Sequence, residues 1–185
     1  MSNLPAPGVY NIDSVHSTVS FVARHLVASK VRGNFTDFAG VLTIGDSAEA
    51  SSVEATVQAA SITTNNAMRD NHLKSGDFLE IEKNPVLTLK STKIRATSGD
   101  NYEMVADVMV KGVTKSVTFA LEFLGAGPSM TPGVTVVGFE AKADVDRRDF
   151  GVDFGGALEN GSLVVGNKLT IEIDIEAASV VMAHA

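Results

Sequence analysis

The chain has no cysteine, which excludes disulfides, thiolate nucleophiles and cysteine-based metal sites and fits a reducing cytoplasm. No segment approaches the 18 or so consecutive apolar residues that a spanning helix needs. The start, MSNLPAPG, has neither a basic cluster nor an apolar run, so no signal peptide is read and the expected location is cytoplasmic. Positive charge is scarce. Lys and Arg total 15 against 22 Asp and Glu, giving a net charge of −7 and a pI of about 5.0. A general nucleic-acid binder needs a basic face, and electrostatic docking on an anionic membrane needs one too. Both are excluded on this ground. There is no Pro/Ser-rich linker, fixed repeat or low-complexity run, and no HExxH, GxSxG or phosphate-binding glycine loop.

What the sequence does contain is alternation. Hydrophobic residues make up 44% and charged residues 20%, and along most of the chain they interleave with period two, as in strands with one buried face. Tyr10–Asp13 and Val15–His25 read as strands, the second aligning Val19, Phe21 and Ala23. In Lys30–Ile44 the parity breaks. Val31, Gly33 and Phe35 share one face, and Phe38, Gly40, Leu42 and Ile44 share the other. A bulge near Thr36-Asp37 restores a common inward face. Ser52–Ile62, Val86–Arg95, Asn101–Lys111, Val113–Leu124, Val134–Asp146 and Lys168–Ser179 complete the set. Gly125, Gly127, Pro128, Pro132 and Gly133 are read as a loop, and 147–161 as irregular with one helical turn. The exception to alternation is Ser61–Glu80. There Asn65 and Asn66 are good caps, residues 67–74 make two helical turns, Asp70 and Lys74 have favourable spacing, and Ser75-Gly76 is a stop. A helix this short needs packing to persist, with Met68, Leu73, Phe78 and Leu79 as anchors. The expected fold is all-β: an extended eight-stranded antiparallel barrel over residues 9–179, with a short helix at about 66–75 packed on it or plugging it. Residues 1–8 and 180–185 are tails. A barrel is favoured over a sandwich because long strands can tilt around a cylinder and because a long, regular terminal strand left open would aggregate.

A barrel of this size holds either a packed core or one small ligand. The inward set is Val19, Phe21 and Ala23; Phe35; Leu87 and Leu89; Phe119, Leu121 and Phe123; Phe139 and Ala141; Ile171 and Ile173. These are the candidate lumen residues. The small residues Ala23, Gly33, Ala55, Ala59, Ala141 and Ala143 leave space among them, and pattern alone leaves a filled and a hollow barrel both open. His25, Arg69, Asp70, His72 and Arg148 are candidates for a polar mouth. An Arg there can hold phosphate bidentately. The alternative for these groups is structural, as ion pairs and loop caps. No nucleophile is indicated. His16 and His25, nine apart on one strand, sit on opposite faces and cannot share a metal, and His184 lies in the tail. No catalytic residue, metal or cofactor is expected.

In order along the chain, Tyr10-x-Ile12-Asp13-x-x-His16-Ser17-x-Val19-x-Phe21, Val31-x-Gly33-x-Phe35, Arg69-Asp70-x-His72-Leu73, Asp77-Phe78, Pro85-x-Leu87-x-Leu89-x-Ser91-Thr92, Lys111-Gly112-Val113-Thr114 and Arg148-Asp149-Phe150-Gly151 resemble the YceI-like family. The resemblance spans about residues 9–178. It implies a lipocalin-like barrel with an apolar lumen that binds polyisoprenoids or other long-chain amphiphiles as carrier or store, often as a dimer, with no established catalysis. It also implies export to the periplasm for many members. Leu89 stands where the family often has Phe. Two other classes are weighed: a lipid-modifying enzyme using His25, and a ligand-free stress-response or interaction module.

Overall fold

A computed structural model describes residues 4–26, 29–156 and 164–180; His184, expected in the tail, and 157–161 of the stretch expected to be irregular lie outside the described residues. The strands are β1 (Gly8–Ile12), β2 (Thr18–His25), β3 (Ser29–Phe35), β4 (Phe38–Ile44), β5 (Ser52–Gln58), β6 (Ile62–Thr63), β7 (Val86–Ser98), β8 (Asn101–Val110), β9 (Val113–Pro128), β10 (Thr135–Asp146) and β11 (Val165–Ser179). The helix α1 is Ala67–Lys74. Every pairing is antiparallel, and the order β1-β4-β5-β7-β8-β9-β10-β11 closes on itself through β1–β11. This is a closed eight-stranded barrel.

The barrel is extended because three of its strands are broken in two. β11 pairs with β1 through Ala177–Ser179 and with β2 through Val165–Asp174. β2 then pairs with β3, and β3 with β6. β1 and β2 therefore behave as one long strand broken at 13–17, and β3 and β4 as another broken at Thr36-Asp37. The parity fault read from the sequence is this second break. Its cause lies on the neighbouring strand. Between β5 and β6 a 3₁₀ turn at Ala59–Ser61 takes up extra backbone, and Thr36 N–H donates to Ser61 O at 3.3 Å while Gln58 N–H donates to Asp37 O at 2.9 Å.

Local chemistry sets the hairpins. Lys111 and Gly112 have φ of 51° and 73° between the paired Val110 and Val113. Two left-handed residues make the tight turn whose twist matches the strands. The predicted loop from Gly125 to Gly133 is shorter than expected. β9 continues to Pro128, with Gly125 opposite Gly138 and Pro128 opposite Thr135. Paired glycines carry no side chains to show alternation, so the sequence hid this extension.

α1 has the expected bounds, and Asn66 caps it by accepting from Arg69 N–H at 3.0 Å. Three details differ. Met68 is 84% exposed and anchors nothing, whereas Phe78 and Leu79 are buried. Asp70 turns back toward β6 rather than toward Lys74. The helix stops at Ser75, in extended conformation with its hydroxyl donating to His72 O, and Gly76 adopts no left-handed conformation. The segment after α1 wraps the helix end, with Leu79 N–H donating to Leu73 O and Ile81 N–H to Lys74 O.

Candidate functional site

Inside the barrel, the half nearest α1 is solid. Ala106, Val108, Val117, Phe119, Ala143, Phe150 and Val152 pack there with Phe78, and Phe119 is only 1% exposed. The other half is hollow. A cavity runs toward the β4–β5 turn, walled by Phe38, Leu42 and Ile44 of β4 and Val53, Ala55 and Val57 of β5, and completed by inward residues of the other strands. Its volume is about 140 Å³. It resembles the ~150 Å³ apolar cavity that holds one benzene ring. Among the described residues, Ser51, Ser52 and Tyr102 are the only ones in the wall with polar side chains, and of these Tyr102 alone is titratable.

Leu4, ahead of β1, and Ala48, in the β4–β5 turn, complete the wall, and the segment after Leu4 is held where Tyr10 Oη donates to Ala6 O at 2.8 Å. Tyr10 is itself buried with Leu42, Ile44, Val137 and Ala177.

The expected lumen residues divide between the two halves. Val19, Leu89, Leu121, Phe139, Ala141 and Ile173 line the cavity. Phe119 is in the solid core, and Phe123 and Ile171 pack against it. Phe123 also stacks on Phe139 with ring centroids 5.1 Å apart. Phe21 leans on Phe35 at 6.1 Å and covers Gly33, where any Cβ would overlap its ring. Ala23 is buried and Leu87 half-buried opposite Val57; neither they nor the Phe21–Phe35 pair reaches the cavity. Alternation identifies the face, but not how far along the barrel axis the interior is filled. The sequence reading also left out Ile94. A register shift between Ser91 and Lys93 turns Ile94 inward, and no residue pattern announces it.

None of the expected mouth residues lines the cavity. Asp70 accepts from Thr63 Oγ1 at 3.0 Å, from Thr64 N–H at 2.7 Å and from Thr64 Oγ1 at 2.5 Å. The Thr64 bonds are the main reason that its carboxyl sits below the usual range. Arg69 donates to Thr64 Oγ1 and Thr64 O. The pair builds the β6–α1 corner. His72 Nε2 meets Asp77 at 2.8 Å, and its ring lies edge-on to Phe78 and Phe154 at 5.0 and 4.7 Å. His25 ends β2 opposite Ser29. Arg148 forks onto Asp146 at 3.0 and 2.6 Å on the surface. Arg147, next to it, is the buried one. It is 4% exposed and donates to Gly166 O, Val152 O, Val165 O and Asn167 Oδ1, and burial lowers the pKa of its guanidinium. From sequence the two arginines are indistinguishable.

The Arg148 hydrogen bonds hold the Asp146 carboxyl down at about 2, against about 3.9 in an unfolded chain. A depressed pKa adds stability that is complete above the unfolded value and is lost as pH falls toward the folded one. Denaturant midpoints measured from pH 5 to pH 2 are therefore expected to fall for the wild type, and to fall less steeply for Asp146→Asn. Equal slopes would assign the acid sensitivity to other carboxylates.

The sequence match decides the relationship. The YceI-like domain matches residues 10–177. The chain belongs to the YceI-like domain family. A UPF0312 protein of Staphylococcus epidermidis is 35% identical to this YceI-like chain, over 90% of it and 95% of that protein. The YCEI protein of Campylobacter jejuni superposes with a TM-score of 0.74 at 27% identity, over 85% of this chain and 90% of the other. A polyisoprenoid binding domain from Saccharophagus degradans superposes with a TM-score of 0.63 at 13% identity, over 92% and 98%, a likeness of fold alone. No helix among the described residues of this YceI-like chain is long and apolar enough to cross a membrane.

Proposed function

We propose that the protein binds one long-chain isoprenoid or fatty amphiphile, tail first, in the barrel cavity, as a carrier or store. The supporting observation is the wall itself: nearly all apolar, drawn from most strands of the barrel, and open toward one end. Each methylene buried contributes about 0.8 kcal/mol. A tail of about a dozen carbons offsets the several kcal/mol of freedom lost on binding without any polar contact. A relative in fold is named for polyisoprenoid binding, which agrees with this class of ligand. Among the described residues the wall holds no Asp, Glu, His or Lys, which supports binding rather than chemistry as the proposed role.

A volume of about 140 Å³ is too small for such a tail, so binding requires the wall to widen, and Leu4, from the segment ahead of β1, is the wall residue expected to move aside. The test is native mass spectrometry of the purified chain before and after incubation with a polyprenyl alcohol, followed by organic extraction. A stoichiometric long-chain adduct is expected. A chain that comes empty and takes up neither polyprenyl nor fatty probes overturns the proposal. Leu4→Ala is expected to speed uptake several-fold while changing the affinity little, read by stopped-flow with a fluorescent fatty probe.

A further inference from the structure

The break between β1 and β2 brings together three side chains that the sequence keeps apart. His16, read from the sequence as a strand residue, lies in the turn between them. Its Nδ1 is 2.9 Å from Asp13 Oδ2 and 3.9 Å from Glu176 Oε1 on β11. One ligand atom from each residue fits in a set within 4.8 Å of one another. We propose that Asp13, His16 and Glu176 bind one divalent first-row transition cation of the Zn²⁺ class.

Metal–ligand bonds of 2.0–2.2 Å in a tetrahedron place ligand atoms about 3.4 Å apart. The two separations from His16, 2.9 and 3.9 Å, bracket that spacing, and all three ligand atoms lie within 4.8 Å of one another, so side-chain rotations that draw the two carboxylates together admit the ion. The backbone beneath is already fixed. Asp13 N–H donates to Glu176 O at 2.9 Å. Ser17 Oγ donates to Glu176 O at 3.1 Å and accepts from Glu176 N–H at 3.0 Å. The second oxygen of Asp13 accepts from Val15 N–H at 2.8 Å, which aims the first at the site. Charge also fits: the two carboxylates face each other across His16, and no Lys or Arg among the described residues forms a salt bridge with either. Two carboxylates with one imidazole suit Zn²⁺, Co²⁺ or Ni²⁺ better than Ca²⁺ or Mg²⁺, which take oxygen ligands in larger number. His16 is 62% exposed, which leaves the fourth position to water. The ion would clip the turn to β11 at the place where that strand exchanges β2 for β1.

The test is calorimetric titration of the full chain with Zn²⁺ at neutral pH, with Co²⁺ absorption as a second readout. One site per chain is expected, with d–d bands of a low-coordinate cobalt centre. His16→Gln and Glu176→Gln should each weaken binding about 100-fold, while His72→Gln, at the other His–Asp pair, leaves it unchanged. At a hundredfold excess over Kd, Zn²⁺ should raise the wild-type Tm by about 5 °C or more and leave that of Glu176→Gln unmoved. Both substituted residues are on the surface, and Glu176→Gln keeps the test decidable if His16→Gln folds poorly. No binding by the wild type, or binding that survives either substitution, overturns the proposal.

Discussion

Ala141→Phe is expected to abolish uptake of a polyprenyl or fatty probe while the barrel stays folded. Ala141 pairs with Leu121 across to β9 and with Ile173 across to β11, and all three line the cavity. A benzyl group placed there enters a sheltered space of only about 140 Å³, roughly what one aromatic ring occupies. The ring fills the room that the chain end needs. Overpacking costs about 1–3 kcal/mol, a fraction of the stability of a domain this large. The variant should therefore show an ordinary cooperative melt, somewhat lower, with no ligand-induced rise. Ala120→Phe is the control. Ala120 is exposed one residue along β9 and should leave binding untouched. Undiminished binding by a folded Ala141→Phe would remove the cavity from the proposed function.

Arg147→Leu is expected to be the most damaging single substitution for stability. The guanidinium is almost wholly buried and donates to three backbone carbonyls and to Asn167. It ties the end of β10 to the start of β11 and to the segment after the 3₁₀ turn at Arg147–Phe150. Leucine leaves those acceptors dry and unpaired. A buried group stranded without its partner costs about 1–3 kcal/mol, and more where a charge was involved. With four acceptors affected, a loss of about 3 kcal/mol or more is expected, seen as a fall in Tm of about 10 °C. Arg148→Ala, on the solvent side of the same turn, breaks only an exposed ion pair with Asp146 and should leave the Tm nearly unchanged, because water screens such pairs. Similar losses for the two variants, measured by thermal and denaturant unfolding, would show that burial does not separate them.

The features legible in the sequence are those that neighbouring residues settle among themselves. Alternation marks each strand and its buried face, since successive side chains on an extended chain point to opposite sides. Asn66 marks the start of α1, because a few adjacent residues determine the backbone there. Even the break at Thr36-Asp37 shows as a change of parity. Long strands and a regular terminal strand pointed to a barrel, and the ordered YceI-like motifs implied its lipocalin-like form. What the tertiary structure decided depends on residues far apart in the chain. Six of the expected lumen residues line the cavity and the other seven do not, because the level at which the interior fills is set by register across several strands and by shifts such as that at Ser91–Lys93. Arg147 and Arg148 part company only when β11 arrives to cover the first. Asp13 and His16 meet Glu176 only because closing the barrel lays β11 beside the turn between β1 and β2. Side-chain period is a local property of the backbone, whereas register, cavity and site are properties of how the strands close on one another.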